Sequence, residues 1–495
     1  MAEPREVDDL TAARLRKLDA IRELGIDPFP RKYDRTHLSA EILNDYERLE
    51  GQTVRVAGRL VGAIRHMGKA GFANLLDSDG RVQVYFRRDV LSEGDFALYR
   101  ELDVGDFIGV EGVPFRTRSG EITIEARSLT FLSKAIRPLP EKWHGLTDVE
   151  KRYRQRYLDL ITNPEAREVF ALRAKAIRTV RRFLDDEGFT EVETPILQAV
   201  ASGAAARPFT TFANALDQEL HLRIAIELYL KRCIVGGIER VYEIGRIFRN
   251  EGLSLKHNPE FTMLELYQAY ADYKDIMDLV ERLVSHVALE VAGTTKLKWH
   301  EEPIDVAAPW PRRRLRDLIL ECSGVDYLAH QDDESLKTAA ESAGLKVDPA
   351  WNRAKVIDEL MSEFVEPKLI HPTFVIDYPV ETTPLAKRRP EQPDEVERFE
   401  AYIGGMEIAN AFSELNDPVE QRRRFEEQVD LKAAGDDEAQ ALDEEFLEAI
   451  EHGMPPTGGL GIGIDRLIMV LANRSTIREV ILFPQLRSRG PAHEG

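Results

Sequence analysis

The stretch VYEIGRIFRNEGLSLKHNPEFTMLELYQAY, Val241 to Tyr270, reads as a strand, a loop and a returning strand. Side chains alternate faces along a strand, so Arg249 and Glu251 are expected on one face. On the return, Phe261, Met263, Glu265 and Tyr267 share a face, while Leu264 and Leu266 turn the other way, into a core. If the two polar faces coincide, the hairpin presents Arg249, Glu251, Phe261, Glu265 and Tyr267 together, with Lys256 and His257 at its tip. A guanidinium suits a carboxylate or phosphate. An aromatic face suits a planar base, and carboxylates suit an amine. A solvent-facing hairpin laced with salt bridges is the plainer alternative, and this composition fits it poorly.

Two further segments extend the pattern. In GGMEIANAFSEL, Gly404 to Leu415, Asn410, Phe412 and Glu414 fall at i, i+2, i+4 on one face, separated by small residues such as Ala411. Glu407 has the opposite parity, so either a bulge re-aims it or it faces elsewhere. PPTGGLGIGIDRLIMVL, Pro455 to Leu471, runs glycines into an amphipathic helix opened by Asp465 and Arg466. It matches neither a dinucleotide fingerprint nor a P-loop.

Around these segments the chain alternates helices and strands without a regular βαβ rhythm, which predicts an α+β domain with an antiparallel sheet flanked by helices. The N-terminal part differs. Helical residues run to the turn Gly25-Ile26-Asp27-Pro28, and five short β segments follow between Thr53 and Leu132, separated by turns such as Asp77-Ser78-Asp79-Gly80. That pattern predicts a small OB-fold barrel. The expected division is a helical extension over 1–50, the barrel over 51–137, a linker over 138–160 and the larger domain over 161–495. The acidic stretch from Glu426 to His452 reads as a solvated helical insertion without chemistry of its own.

Composition narrows the class. With 495 residues the chain is too long for one core. No apolar run is long enough to span a bilayer, and the N-terminus has no signal-peptide core, so no membrane partner and a cytoplasmic address are expected. A net charge of −20 argues against generic nucleic-acid binding. Local basic surfaces remain, at Lys134, Arg137, Lys142, Lys151, Arg152, Arg154 and Arg156, and at Lys387 to Arg389, though each also reads as a solvated linker or loop. Cys233 and Cys322 lie in no metal-binding pattern and read as buried apolar fillers.

Taken in order, RRFLDDEGFTEVETPIL with Pro195, FRNEG at 248–252 and GLGIGIDR at 459–466 resemble the three signature motifs of the class II aminoacyl-tRNA synthetases. An N-terminal barrel before such a domain is similar to the lysine, aspartate and asparagine subgroup. The runs ARPFTTFANALD, ELYLKR, GGMEIANAFSELNDP and ILFPQLR resemble the lysine-specific branch most closely, and the likeness runs from Arg14 to Arg487.

The resemblance implies an ATP-dependent ligase that activates L-lysine to lysyl-adenylate and passes it to the 3′ end of its tRNA. It implies that Arg249 and Arg466 are catalytic, binding the α-phosphate and the outer phosphates. Glu251, His257, Asn258, Phe261 and Glu400 would complete the ATP site, with Glu251 reading the adenine amino group and Phe261 stacking under the base. Glu400 and Glu407 would carry Mg²⁺. Lysine would lie among Gly203, Glu227, Arg249, Glu265, Tyr267, Asn410, Phe412 and Glu414. Its side-chain ammonium would sit between Glu265, Tyr267 and Glu414, because buried carboxylates need a cation. Phe72 and Gln83 match the positions that stack on and read an anticodon base, with Phe72 as barrel core the alternative. A homodimer with the region from Arg181 to Pro195 at its interface is implied as well.

The chain departs from the family pattern at three places. Ile226 precedes Glu227 where relatives usually have proline, Ala201-Ser202-Gly203 replaces Pro-Gly-Gly, and Gly245 stands where many have asparagine. The C-terminal SRGPAHEG reads as a disordered tail. Two rival readings are a protein-modifying enzyme of the same architecture, whose kind lacks the barrel, and an inactive nucleic-acid-binding paralogue.

Overall fold

Between Val54 and Ser133 the period-2 alternation of the sequence becomes a closed barrel. Its strands are β1 (Val54–Met67), β2 (Ala70–Leu76), β3 (Arg81–Arg87), β4 (Phe107–Arg116) and β5 (Ile122–Ser133), in the order β1-β2-β3-β5-β4, with β4 pairing back onto β1. The β2–β3 turn forms because the Asp77 carboxylate accepts the N–H groups of Asp79 and Gly80, each at 3.0 Å. Ala73, Leu75, Val82, Val84 and Phe86 point inward and fill the core with Val56, Ile108 and Val110. The alternate residues Phe72, Gln83 and Tyr85 therefore stand on the outer surface, half-buried.

In this computed structural model, residues 9–140, 146–433 and 441–487 are described. Two compact units emerge: Met1–Asp148 with Tyr157–Thr162, and Val149–Arg156 with Asn163–Gly495. Lys142 of the basic run, part of the acidic stretch and the C-terminal SRGPAHEG from Ser488 onward lie outside the described residues.

The second unit is built on a sheet of eight strands among the described residues: β6 (Thr190–Glu191), β7 (Arg240–Phe248), β8 (Glu260–Ala269), β9 (Arg312–Arg314), β10 (Thr373–Pro379), β11 (Glu395–Ile403), β12 (Met406–Ser413) and β13 (Thr457–Gly463). Their spatial order is β9-β10-β11-β12-β13-β8-β7-β6, antiparallel except for the two edge pairs. One face carries Leu264, Leu266, Leu460 and Ile462 into a core against the helices Pro164–Asp186, Tyr273–Ala292 and Ile464–Leu471. The register aligns the opposite face in rows. Glu265, Gly461, Asn410 and Glu400 are successive neighbours across β8, β13, β12 and β11. Tyr267, Gly459, Phe412 and Arg398 form the adjacent row. At about 4.8 Å per strand, such a row gathers side chains from distant parts of the chain into one cleft floor.

Several expectations need correcting. Strand β7 ends at Phe248, so Arg249 and Glu251 lie in the loop and do not share a strand face; Arg249 N–H still donates to Pro259 O at 2.9 Å. The basic residues near the linker are not all a surface: the Lys134 ammonium is fully enclosed by Asp103 and Asp106. Arg156 is likewise buried, donating to the carbonyls of Arg478, Ile481 and Leu482. The acidic stretch is not merely solvated, because the helix Glu444–Glu451 buries Phe446, Leu447 and Ile450 against Tyr267 and its neighbours. Both cysteines are free and only partly buried, at the edges of cores.

Candidate active site

Gathered on the polar face of β8, β12 and β13 are three carboxylates: Glu265 from β8, Glu414 just past β12 and Glu227 from the first turn of the helix Glu227–Val235. All three are buried, with Glu414 at 1% exposure. Burial, together with the charges of Glu227 and its neighbours, pushes Glu265 up to about 7 and Glu414 up to about 8. Tyr267 lies among them, and burial plus the same three carboxylates raises its hydroxyl well above the usual range. The Ile226 N–H donates to Glu265 Oε1 at 2.9 Å, a bond that a proline at this position lacks the hydrogen to make.

Room for this cluster comes from glycine. A Cβ on Gly459 would stand 2.0 Å from Glu414 Oε1 and 2.5 Å from the Tyr267 ring, so the strand must be bare there. On the opposite face, Gly458 lets β13 approach Ile276, which a Cβ would meet at 2.6 Å. Gly203, at φ +89°, stands against Glu227, whose Cβ would lie 3.5 Å from a side chain there. Gly245 admits Arg223, whose Nη2 would be 2.1 Å from a Cβ; Arg223 in turn pairs with Glu243 at 2.5 Å. Ser202 Oγ donates to Asp443 Oδ2 at 3.4 Å. The three departures from the family pattern are thus tied into the surroundings of the pocket.

Beside the carboxylates lies a cationic region. The Arg249 guanidinium sits 5.4 Å from the Phe261 ring centroid, and Arg249 also lowers the proton affinity of Glu265. Arg466 donates to Glu407 through the backbone oxygen at 2.8 Å and Oε2 at 3.1 Å, and its other nitrogen lies 3.1 Å from His257 Nε2. A guanidinium has no acceptor, so Nε2 must accept and Nδ1 must carry the proton, donating to Ser254 Oγ at 2.8 Å. His257 keeps part of its ring open, yet desolvation of its inner side and the charge of Arg466 push it down to about 4, so it is neutral at pH 7. Asp465 fixes the start of the Arg466 helix by accepting from Arg173 at 2.5 Å and from Thr262 N–H at 2.6 Å. Asn258 is buried and donates to Glu260 O at 2.6 Å, while Glu251 stands exposed in the loop.

Glu400 and Glu407 come to the same face of the sheet because β12 carries a bulge. The register shifts between Ala401 and Tyr402 on β11, so Ile408 is the extra residue and Glu407 is re-aimed. Glu400 Oε2 accepts from Tyr378 at 2.8 Å and Tyr402 at 2.5 Å, and Oε1 accepts from Arg398 at 2.5 Å. Burial, and then the nearby Glu407, still raises its proton affinity. Glu366, held 3.5 Å from Lys256, is pushed to about 7 by burial and by the charges of Glu407 and Glu400. No group of three metal-type side chains occurs among the described residues. Two carboxylates completed by substrate oxygens and water are the usual way of holding Mg²⁺, so the donor set fits that ion. Asn410 lies beside Glu400, with Nδ2 at 3.4 Å from Oε1, and its buried Oδ1 has no partner among the described residues.

Sequence reading missed Lys231, Arg223 and Arg398, which pair with Glu227 and Glu414, Glu243 and Glu400 respectively. Only the Glu227–Lys231 spacing of four was a usable signal. On the barrel, Phe72 stacks on Tyr85 with ring centroids 4.4 Å apart, and Gln83 bonds Thr123 and Glu121 at 2.9 and 3.0 Å. Phe72 is therefore not barrel core.

Comparison with known proteins accords with this geometry. Residues 148–487 match the family described as tRNA synthetases class II (D, K and N), and residues 54–132 match the OB-fold nucleic acid binding domain. A lysine–tRNA ligase of Moorella thermoacetica is 56% identical over 482 residues, covering 97% of this chain and 98% of the relative. That of Carboxydothermus hydrogenoformans is 53% identical, covering 98% and 100%. That of Bacillus subtilis is 51% identical, covering 98% of each.

Proposed function

The chain belongs to the class II tRNA synthetases of the aspartate, lysine and asparagine group, and from that premise we infer that it is a lysine–tRNA ligase, which activates lysine with ATP and transfers it to tRNA. The observation that carries the lysine reading is the convergence of Glu227, Glu265 and Glu414 around Tyr267. A pocket so negative and so buried rejects a substrate without a cation.

Arg249 would grip the lysine carboxylate and the α-phosphate from its loop, and Asn410, whose buried amide oxygen has no partner among the described residues, lies in the row of Glu265 and Glu400. The carboxylate oxygen attacks the α-phosphorus, the bond to pyrophosphate breaks, and lysyl-adenylate forms. The terminal hydroxyl of tRNA then attacks the carbonyl carbon, AMP leaves, and the hydroxyl proton passes to solvent or phosphate. Arg466 and neutral His257, 3.1 Å apart, suit the outer phosphates, and Phe261 the adenine. Glu251, Asn258 and the backbone at Gly203 are assigned to ATP and the α-amine by their match to the family motifs. Glu400 and Glu407 would hold Mg²⁺, which supplies charge neutralisation at the phosphates. The tyrosines Tyr378 and Tyr402 orient Glu400 for it.

We assign anticodon reading to 51–137, with Phe72 and Gln83 as the readers, and catalysis to 161–495; 1–50 is an extension and 138–160 a linker. We also propose a homodimer through the 181–195 region, as the resemblance to the family implies. We propose a cytoplasmic address; among the described residues no helix is long and apolar enough to cross a membrane.

The test is ATP–pyrophosphate exchange measured with each of the twenty amino acids. Lysine alone should support rapid exchange; another preferred amino acid would overturn the reading. Arg249→Ala should abolish the exchange, a loss of roughly a thousandfold for a group that stabilises charge in the transition state.

A further inference from the structure

Inside the amino acid pocket the protein supplies an ammonium group of its own. Lys231, one helical turn after Glu227, donates to Glu227 Oε1 at 2.6 Å and also pairs with Glu414. Its ammonium is wholly enclosed, 5.9 Å from the ring centroids of both Tyr267 and Phe446. Three carboxylates face one another here, and Lys231 neutralises only one charge. Arg223 adds nothing, being matched by Glu243 at 2.5 Å. The charge of Arg249 also reaches Glu265, but that guanidinium is the one assigned to the substrate carboxylate. With all three carboxylates ionised, as an ammonium ligand requires, two negative charges are left over, and lysine carries two ammonium groups.

We propose that Lys231 is a positioning residue for amino acid selection: a built-in counter-ion that keeps the Glu227 and Glu414 carboxylates aimed and leaves negative charge for two further cations, the α-amine and the side-chain ammonium. The inference rests on the lysine reading above. It adds that specificity is set by a count of charges as well as by shape. Without Lys231, two buried carboxylates lose their shared donor, and each must take up a proton or turn away. A pocket of neutral, misdirected carboxyls has little hold on an ammonium. Lys231 touches neither reacting atom, so the adenylation step itself is left intact.

The test is Lys231→Met in the full-length protein, with lysine and ATP varied separately in pyrophosphate exchange. Truncating one partner of a buried charge pair should raise the lysine KM by roughly 30-fold or more, with kcat within about threefold and the ATP KM unmoved. A lysine KM within about threefold of the parent overturns the proposal, and so does a parallel rise in both KM values, the mark of general damage. If the variant does not fold, the parent enzyme carries the test. Cadaverine, with two ammonium groups, should compete with lysine at least about tenfold better than pentylamine, which has one on the same carbon chain. Equal inhibition overturns the count. A parent enzyme with no lysine-dependent exchange would instead break the lysine reading itself, a result distinct from all of these.

Discussion

The barrel and the catalytic sheet each bury a lysine between two carboxylates, and the two lysines answer different needs. Lys134 sits between Asp103 and Asp106 at 2.7 and 2.8 Å, and Lys17 adds a second cation to Asp103 at 2.8 Å. Two cations meet two anions there. Although burial lifts Asp106, the Lys134 and Lys17 hydrogen bonds hold Asp103 below its usual range against the same pull. Lys231 pairs with two of three clustered carboxylates, and burial leaves Glu265 at about 7 and Glu414 at about 8. A matched network serves folding. An unmatched one waits for a ligand.

The sharpest way to break the contrast is Glu414→Gln. Losing a desolvated anion proposed to meet the substrate ammonium should raise the lysine KM by about a thousandfold, some 4 kcal/mol, with the unfolding midpoint unchanged or higher. A small KM change would put Glu414 outside the pocket. The mirror experiment is Lys134→Met, which strands the buried Asp106, leaves Asp103 only Lys17, and should cost the barrel about 3–4 kcal/mol in denaturant unfolding. Its lysine KM in exchange should equal the parent's; a shifted KM would mean that the matched network also serves catalysis.

Third in size is Phe72→Ala. Loss of one stacking platform should weaken tRNA charging by about 1–3 kcal/mol while lysine-dependent exchange is untouched. Equal losses in the two assays would return Phe72 to a purely structural role.

The last prediction is one of pH. In the free protein Glu265 and Glu414 hold protons below about 7 and 8, whereas an ammonium ligand binds their ionised forms. Lysine binding must release those protons, so the lysine KM should fall as pH rises from about 6 to about 8 and then level off. Stability follows the opposite course. Their folded-state values lie above the ordinary 4.5, so the folded state binds more protons and loses stability as pH rises from about 4.5 to about 8. Saturating lysine should cancel that loss in thermal unfolding. A flat profile in both measurements would mean that the pocket is already neutralised.

Much of the site was legible because strand periodicity is strict. The parity of Leu264 and Leu266 against Glu265 and Tyr267, and of Asn410 with Phe412, carried through to opposite faces of the sheet. The five barrel strands were equally plain, since turn residues such as Asp77 and Gly80 bound each of them. What could not be read was register between distant strands. That Glu265, Gly461, Asn410 and Glu400 form one row depends on pairings among four separate segments. The bulge at Ile408 left parity undecided for Glu407. Lys231 escapes notice because its partner Glu414 lies far along the chain, and a lysine at helical spacing from a glutamate is ordinary on a helix surface. Arg249 continues the strand pattern in sequence, yet pairing stops one residue earlier.

Gly459 carries an evolutionary consequence. Its missing side chain is the space that Glu414 and Tyr267 occupy, and every possible replacement is bulkier. Random mutation at this codon can therefore only shrink the cavity. Descendants seeking a larger substrate would have to retreat at some other wall, which makes this bare stretch of backbone a one-way ratchet on the repertoire of the enzyme.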